Sequence, residues 1–105
     1  RQMCIRDRRY RLRLRDIFYF EIVEGRSFLY CEDRVFECRQ KLYEFETLCR
    51  GSMLFRCSKS MILNTDKIAC VRPSVSGRFE ATLVNQEKVI ISHQYVGELK
   101  RMLGI

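Results

Sequence analysis

The chain has 105 residues, of which 47% are hydrophobic, and it carries a formal net charge of +7. This length suits one domain and leaves no room for two well-packed cores, while the apolar content and the single proline exclude a disordered chain. No stretch approaches the roughly 20 apolar residues that a membrane-spanning helix needs, and no apolar segment typical of a signal peptide follows the basic N-terminus. We therefore expect a cytoplasmic protein.

The positive charge is concentrated at the N-terminus. Seven of the first fifteen residues are arginine, opposed by Asp7 alone, whereas residues 16–105 hold 13 basic and 12 acidic side chains. A basic arm can bind phosphates by releasing counterions, and it can equally be a solvated tail. We expect residues 1–11 to be a basic arm, either foreign to the native protein or cut from a longer one, and residues 12–105 to form the domain.

Strands dominate the beginning of the domain. Leu12 and Leu14 alternate with arginines, which is the period of a half-buried strand, and the aromatic residues 17–20 predict the next strand. Two further strand-like segments flank a pair of acidic turn residues and predict a hairpin over residues 27–31 and 34–38.

A change of period then predicts a short helix over residues 40–49. Its apolar residues recur three or four positions apart, which places them on one helical face, and Gly51 is typical of the position just past a helix C-terminus. These apolar residues are Leu42, Phe45, Leu48 and Cys49.

The second half again reads as strands. We place them at residues 67–71, 78–84 and 89–91, with turns between them and an amphipathic helix over residues 95–103. Strands follow one another through turns too short for parallel crossovers. The sequence therefore predicts a mainly β domain with two short α-helices.

No set of residues for catalysis or metal binding stands out. The six cysteines have irregular spacing and form no C-x-x-C pair, and the single histidine, His93, has no ligand partner nearby in sequence. The glycines are isolated, which excludes a glycine-rich phosphate loop, and nothing indicates a residue that would orient a Cys–His pair. We expect no enzyme, no metal, no cofactor and no small-molecule substrate. Reduced thiols acting as apolar side chains are the main interpretation, with a disulfide framework as the alternative.

Three segments place short polar or basic side chains directly beside apolar ones. They are EGRS at residues 24–27, FRCSKSMILN at residues 55–64 and ISHQY at residues 91–95. Neighbouring core residues can hold such side chains rigidly, which lowers the entropy lost when they bind phosphates or base edges. Taken alone, this pattern is more often a solvated surface.

The segments DIFYFE, FRCSKSMILNTDKI and VIISHQY occur in this order and together resemble the signature of the LytTR DNA-binding family. In that family an aromatic strand ending in glutamate opens the domain. At the centre lies a phenylalanine–arginine pair, followed after two further residues by a basic residue, serine, three apolar residues and asparagine. A segment of valine or isoleucine followed by Ser-Arg-x-Tyr comes near the end. The resemblance runs over residues 12–103. The segments GRFEATL and EKVIISHQYVGELKRMLGI further resemble stand-alone bacterial regulators that lack a receiver domain.

The resemblance implies a LytTR-like β domain of three sheets that regulates transcription. Its loops would enter successive major grooves of double-stranded promoter DNA, at direct repeats and as a dimer on the DNA. It also implies a small membrane protein as a regulatory partner, since such proteins are often encoded beside these regulators.

Carried over residue by residue, the resemblance implies a DNA-binding set. Lys59 would contact a base or a phosphate, and Arg56 and Ser60 beside it would bind phosphates. Arg26 and Ser27 would lie in the first strand-connecting loop, and His93 and Gln94 in a second DNA-facing loop. The full set is Arg26, Ser27, Arg56, Lys59, Ser60, His93 and Gln94.

Some positions carry a second interpretation. His93 stands where the family has arginine, and because histidine is mostly uncharged at neutral pH, this predicts DNA binding that is weaker, more sensitive to pH or directed to another base. Arg56 has a structural ion pair with a strand carboxylate as its alternative. We expect Asn64 to bond local backbone rather than DNA.

Two other functions stay open. A β-rich protein–protein interaction module without DNA binding is supported by the near-neutral balance of residues 16–105. A thiol-dependent enzyme or redox sensor rests on the cysteine count alone.

Overall fold

The computed structural model describes the backbone of residues 2–5 and 8–105 and the side chains of residues 12–105. The strands are β1 Gln2–Ile5, β2 Arg8–Arg11, β3 Ile17–Val23, β4 Arg26–Cys31, β5 Val35–Cys38, β6 Leu54–Ser58, β7 Met61–Asn64, β8 Ile68–Pro73, β9 Phe79–Leu83 and β10 Lys88–Ile91. The helices are α1 Leu42–Leu48 and α2 Val96–Leu103.

The strands form three antiparallel sheets. A five-stranded sheet has the order β5-β4-β3-β7-β6, a three-stranded sheet has the order β10-β9-β8, and β1 pairs with β2. This confirms the prediction of a mainly β, multi-sheet domain with two short helices. Within residues 12–105, no helix is both long and apolar enough to cross a bilayer. The expected boundary between residues 11 and 12 stays a prediction.

The five-stranded sheet buries apolar side chains on both of its faces. On one face Phe20 stacks on Phe45 of α1, with ring centroids 4.6 Å apart. On the other face Leu63 packs with Leu83 of the three-stranded sheet and Leu99 of α2. The two clusters share one sheet and one domain, so the expectation that the chain has room for only one core is wrong.

A register shift in β3 explains why its aromatic run serves both clusters. The pairing of β3 with β4 slips between Ile17 and Tyr19. Phe18 and Tyr19 therefore face the same cluster, while Ile17 and Phe20 face the other. The Tyr19 hydroxyl donates a hydrogen bond of 2.9 Å to Glu87, which ties the central sheet to the β9–β10 turn.

Among the described residues, the cysteines at positions 31, 38, 49, 57 and 70 form no disulfide bond. Burial raises the pKa of the Cys57 thiol from an ordinary value near 9.0 to about 12, and that of Cys38 to about 11. Cys38, Cys49 and Cys57 pack within the two hydrophobic clusters, as predicted for thiols that act as small apolar side chains, whereas Cys70 is exposed. That the thiols are reduced stays a prediction. Cys4 lies outside the residues whose side chains are described.

One predicted strand is wrong. Leu14–Asp16 forms a 3-10 turn, closed by a 2.9 Å hydrogen bond from the Asp16 amide to the Arg13 carbonyl. Leu12 and Leu14 nevertheless pack against the cluster beneath α1. Two apolar positions show that a segment faces the core, but they are too few to define its period.

Candidate nucleic-acid interface

Two turns of the five-stranded sheet lie at the same end. Strand β3 runs antiparallel to β7, with Glu21 opposite Met61, and the Ile22 amide donates a 2.9 Å hydrogen bond to the Ser60 carbonyl. The β6–β7 turn therefore lies beside the end of β3, where residues 24–25 turn the chain into β4. The register thus brings together two segments that are 35 positions apart in sequence.

The three-stranded sheet adds two more segments to this end. The Ser92 amide donates a 2.9 Å hydrogen bond to the Cys57 carbonyl, so the residues that follow β10 lie beside the end of β6. Phe79 pairs with both Pro73 and Ile91, which places the β8–β9 turn at the same end as residue 92. We call residues 24–27, 58–60, 74–78 and 92–94 together the turn end.

Lys59 and Ser60 form a two-residue turn between β6 and β7. The Ser60 amide donates a hydrogen bond of 3.2 Å to the Ser58 hydroxyl, which closes the turn locally. Lys59 is exposed, and its side chain makes no hydrogen bond or ion pair with a described residue. Its ammonium group is thus available to an anionic or hydrogen-bond-accepting partner.

The guanidinium group of Arg56 is engaged in contacts within the protein. Its Nε and Nη2 atoms each donate a 2.7 Å hydrogen bond, to the carbonyls of Ser58 and Lys59. Its Nη1 lies 3.4 Å from a Glu46 carboxylate oxygen, and the guanidinium lies 5.9 Å from the Tyr95 ring centroid. The ion pair considered from sequence is present, but its carboxylate comes from α1 rather than from a strand. Arg56 therefore braces the turn that displays Lys59.

Arg26 and Ser27 are the first two residues of β4, so their predicted place in the preceding loop is corrected. Arg26 remains 63% exposed but makes a two-pronged ion pair with Glu37, with N–O distances of 2.8 and 2.5 Å. Ser27 is only 8% exposed, because it pairs with Ile22 on one side and Cys38 on the other. Its burial leaves the Ser27 side chain little surface for a partner.

His93 and Gln94 belong to a 3-10 turn after β10, and both are exposed. The His93 Nδ1 lies 3.2 Å from the Gly77 carbonyl oxygen of the β8–β9 turn. The Tyr95 amide donates a 2.9 Å hydrogen bond to the Ser92 carbonyl, which fixes the backbone beneath the ring. The structure thus brings His93 next to the strand that leads into Lys59.

Sequence reasoning missed the β8–β9 turn as part of this surface. Arg78 ends that turn, is exposed, and makes no side-chain hydrogen bond or ion pair with a described residue. A turn was predicted between the strands at residues 67–71 and 78–84, but only the strand pairing shows that it lies beside His93. The turn end thus presents Lys59 and Arg78 as cations without a partner among the described residues, together with a negative charge at Glu24.

Asn64 has no part in this surface. It is fully buried, its Nδ2 donates a 2.8 Å hydrogen bond to the Ile17 carbonyl, and its Oδ1 accepts one of 2.9 Å from the Asp66 amide. These bonds confirm the prediction that it binds backbone. Asn64 thereby joins β3 to the turn after β7.

Comparison with known proteins agrees with the architecture. The family model described as the LytTr DNA-binding domain matches residues 7–104. The sensory transduction protein LytT of Enterococcus faecalis is 27% identical over 99 residues, which are 94% of this chain but 41% of that protein, so the chain spans about two fifths of this relative. A solved LytTr DNA-binding domain of a methyl-accepting/DNA response regulator from Bacillus cereus superposes with a TM-score of 0.86 at 23% identity. The superposition includes the whole of this chain and 96% of that solved domain.

Proposed function

The chain belongs to the LytTr DNA-binding domain family, and from this premise we propose that its turn end is the surface that binds duplex promoter DNA in a transcription regulator. The observation that carries the proposal is the convergence of four turn segments at one end of two packed sheets. Together they present Lys59 and Arg78, cations that pair with no described residue, beside the exposed His93 and Gln94. Strand pairing holds each segment, so little conformational freedom is lost on binding.

Within this surface the segments take different roles. Lys59 at the tip of its two-residue turn, and His93 with Gln94, would enter the major groove, which is about 12 Å wide. Ser60 and Arg78 would contact phosphates and set the register, as backbone contacts do in protein–DNA complexes. Arg26 would contact a phosphate either by breaking its ion pair with Glu37 or by bonding both groups at once. Ser27 is left out of the set because it is buried.

The assembly follows from the same reasoning. We propose that two copies bind side by side on direct repeats, so that each turn end reads one repeat. The regulator would act in the cytoplasm by binding alone, without a cofactor or small-molecule substrate, and a small membrane protein would control it. The resemblance of the C-terminal segments to stand-alone regulators supports this proposal.

A selection experiment followed by a salt series tests the function. Duplexes enriched from a random pool should bind with an affinity that falls steeply with salt, by about 0.9 log units per log unit of salt for each phosphate contacted. The matched variants are Lys59→Ala and Lys88→Ala. Lys88 is also exposed and unpaired among described residues, but it starts β10, at the opposite end of the strand from His93.

Lys59→Ala should weaken binding whereas Lys88→Ala should not. The rival interaction module predicts a different outcome, in which no duplex is enriched and a partner protein binds with little dependence on salt. Equal effects of the two lysine variants would remove the turn end as the binding surface.

A further inference from the structure

The contact between His93 and Gly77 fixes which ring nitrogen carries the proton. The Nδ1 atom lies 3.2 Å from the Gly77 carbonyl oxygen, and a carbonyl oxygen can only accept a hydrogen bond. In the neutral ring Nδ1 must therefore be the donor, which leaves Nε2 with a lone pair and no hydrogen. No described group bonds Nε2. His93 thus presents an acceptor on an exposed ring at the turn end.

The ring is held in this position by the backbone around it. Gly77 has a φ of +74°, and a Cβ atom at that position would overlap the His93 Nδ1, so only glycine allows the ring to lie this close to the turn. The Ser92 amide bonds the Cys57 carbonyl and the Tyr95 amide bonds the Ser92 carbonyl. The backbone that carries His93 is therefore fixed, and the contact of Nδ1 with the Gly77 carbonyl defines the direction of the Nε2 lone pair in this structure.

An acceptor at this place selects a donor on the DNA. In the major groove only the amino groups of adenine and cytosine donate, whereas guanine N7 and O6 and thymine O4 accept. We propose that His93 is a specificity-determining residue whose Nε2 accepts a hydrogen bond from the amino group of an adenine or a cytosine. An arginine only donates and would select guanine there. This inference rests on the proposed function, because it needs the turn end to face DNA.

The tautomer can be tested without DNA. Two-bond nitrogen–proton correlation spectra of the uncomplexed protein at pH 8 distinguish the two tautomers of the neutral ring. The expected pattern has the hydrogen on Nδ1 and an unprotonated Nε2. A hydrogen on Nε2 would overturn the inference, whatever the DNA experiments show.

The base contact is tested by deleting the amino group. Duplexes selected at pH 8 by the parent chain and by His93→Ala should differ at one position, occupied by adenine or cytosine for the parent, while His93→Arg should favour guanine there. Purine in place of adenine, or 2-pyrimidinone in place of cytosine, should weaken binding to the parent by about 5- to 150-fold and to His93→Ala by less than about twofold. Lys88→Ala should respond to the analogues like the parent.

Equal responses of the parent and His93→Ala to the analogues, or guanine at that position for the parent, would refute the base contact. Identical selected sequences for these two chains would refute it as well. Failure of the folded parent to enrich any duplex would instead remove the proposed function and the base contact with it, while leaving the tautomer result intact. Melting curves of each variant verify that it is folded.

Discussion

Replacing Arg56 with methionine removes a group that three parts of the molecule share. The guanidinium bonds the carbonyls of Ser58 and Lys59, each at 2.7 Å, and reaches Glu46 at 3.4 Å. Methionine keeps much of the stem length but has no donors. We expect the variant to fold with a less well defined β6–β7 turn.

The size of the effect follows from the exposure of these groups. A hydrogen bond to a charged group contributes about 1.5–3 kcal/mol. The Arg56 side chain is 24% exposed, however, and water can replace the guanidinium at the exposed Lys59 carbonyl. About 1 kcal/mol for each carbonyl bond is therefore reasonable. The pair with Glu46, itself 44% exposed, adds at most a fraction of about 1 kcal/mol. The free energy of unfolding should fall by about 2 kcal/mol, which corresponds to roughly 10 °C in Tm.

Urea unfolding and duplex titrations over a range of salt concentrations distinguish bracing from phosphate binding. If Arg56 only braces the turn, Arg56→Met should weaken DNA binding without changing the salt slope, and Arg56→Lys should restore about half of the lost stability. The matched variant Lys59→Ala should also bind more weakly, but its stability should be unchanged. An Arg56→Met variant that is as stable as the parent, and whose salt slope is smaller by about 0.9, would show that Arg56 binds a phosphate after all.

Other substitutions test the packing behind the turn end. Asn64→Ala should lower the free energy of unfolding by about 2–4 kcal/mol in urea titrations, because it leaves the buried Ile17 carbonyl without its donor. Gly77→Ala should lower the free energy of unfolding by about 1–2 kcal/mol, because the φ of +74° at this position is left-handed. The same substitution should shift the ring resonances of His93, which contacts this glycine. The thiols of Cys38 and Cys57 stay protonated in the folded state up to pKa values of about 11 and 12, but ionise in the unfolded chain near 9.0. The folded state then binds more protons, so unfolding free energy should fall as pH rises above about 9, and less so in Cys57→Ala.

Periodicity in the sequence was sufficient to place most elements. The helical spacing around Phe45 and the alternation of Phe79, Ala81 and Leu83 each rest on at least three apolar positions, and both elements are present. Leu12 and Leu14 offer only two positions, and there the predicted strand is wrong. Predictions therefore failed where the pattern was too short to define a period.

The site was harder to predict, because it depends on register. The β6–β7 pairing slips between Arg56 and Ser58, and a one-residue change of register moves a side chain to the other face of a sheet. The motif singled out Arg56 and Lys59, but it could not show that Arg56 bonds the carbonyls of the turn, while Lys59 makes no side-chain hydrogen bond or ion pair with a described residue. Likewise, the turn residues before Arg26 did not predict that Ser27 is buried between two neighbouring strands.

The same register connects the stability of the hairpin with its capacity to bind. Strand β7 places Ile62 in the cluster beneath α1 and Leu63 in the cluster beneath α2, so that both faces of the strand are anchored within three residues of Ser60 and four of Lys59. Because both anchors are fully buried, the turn cannot shift along the strand without exposing one of them or burying a polar neighbour. Arg56 then fixes the carbonyls of the turn from the side of β6. A surface lysine on a short loop is normally mobile, and here it is the packing on both faces of the sheet that restricts where Lys59 can reach.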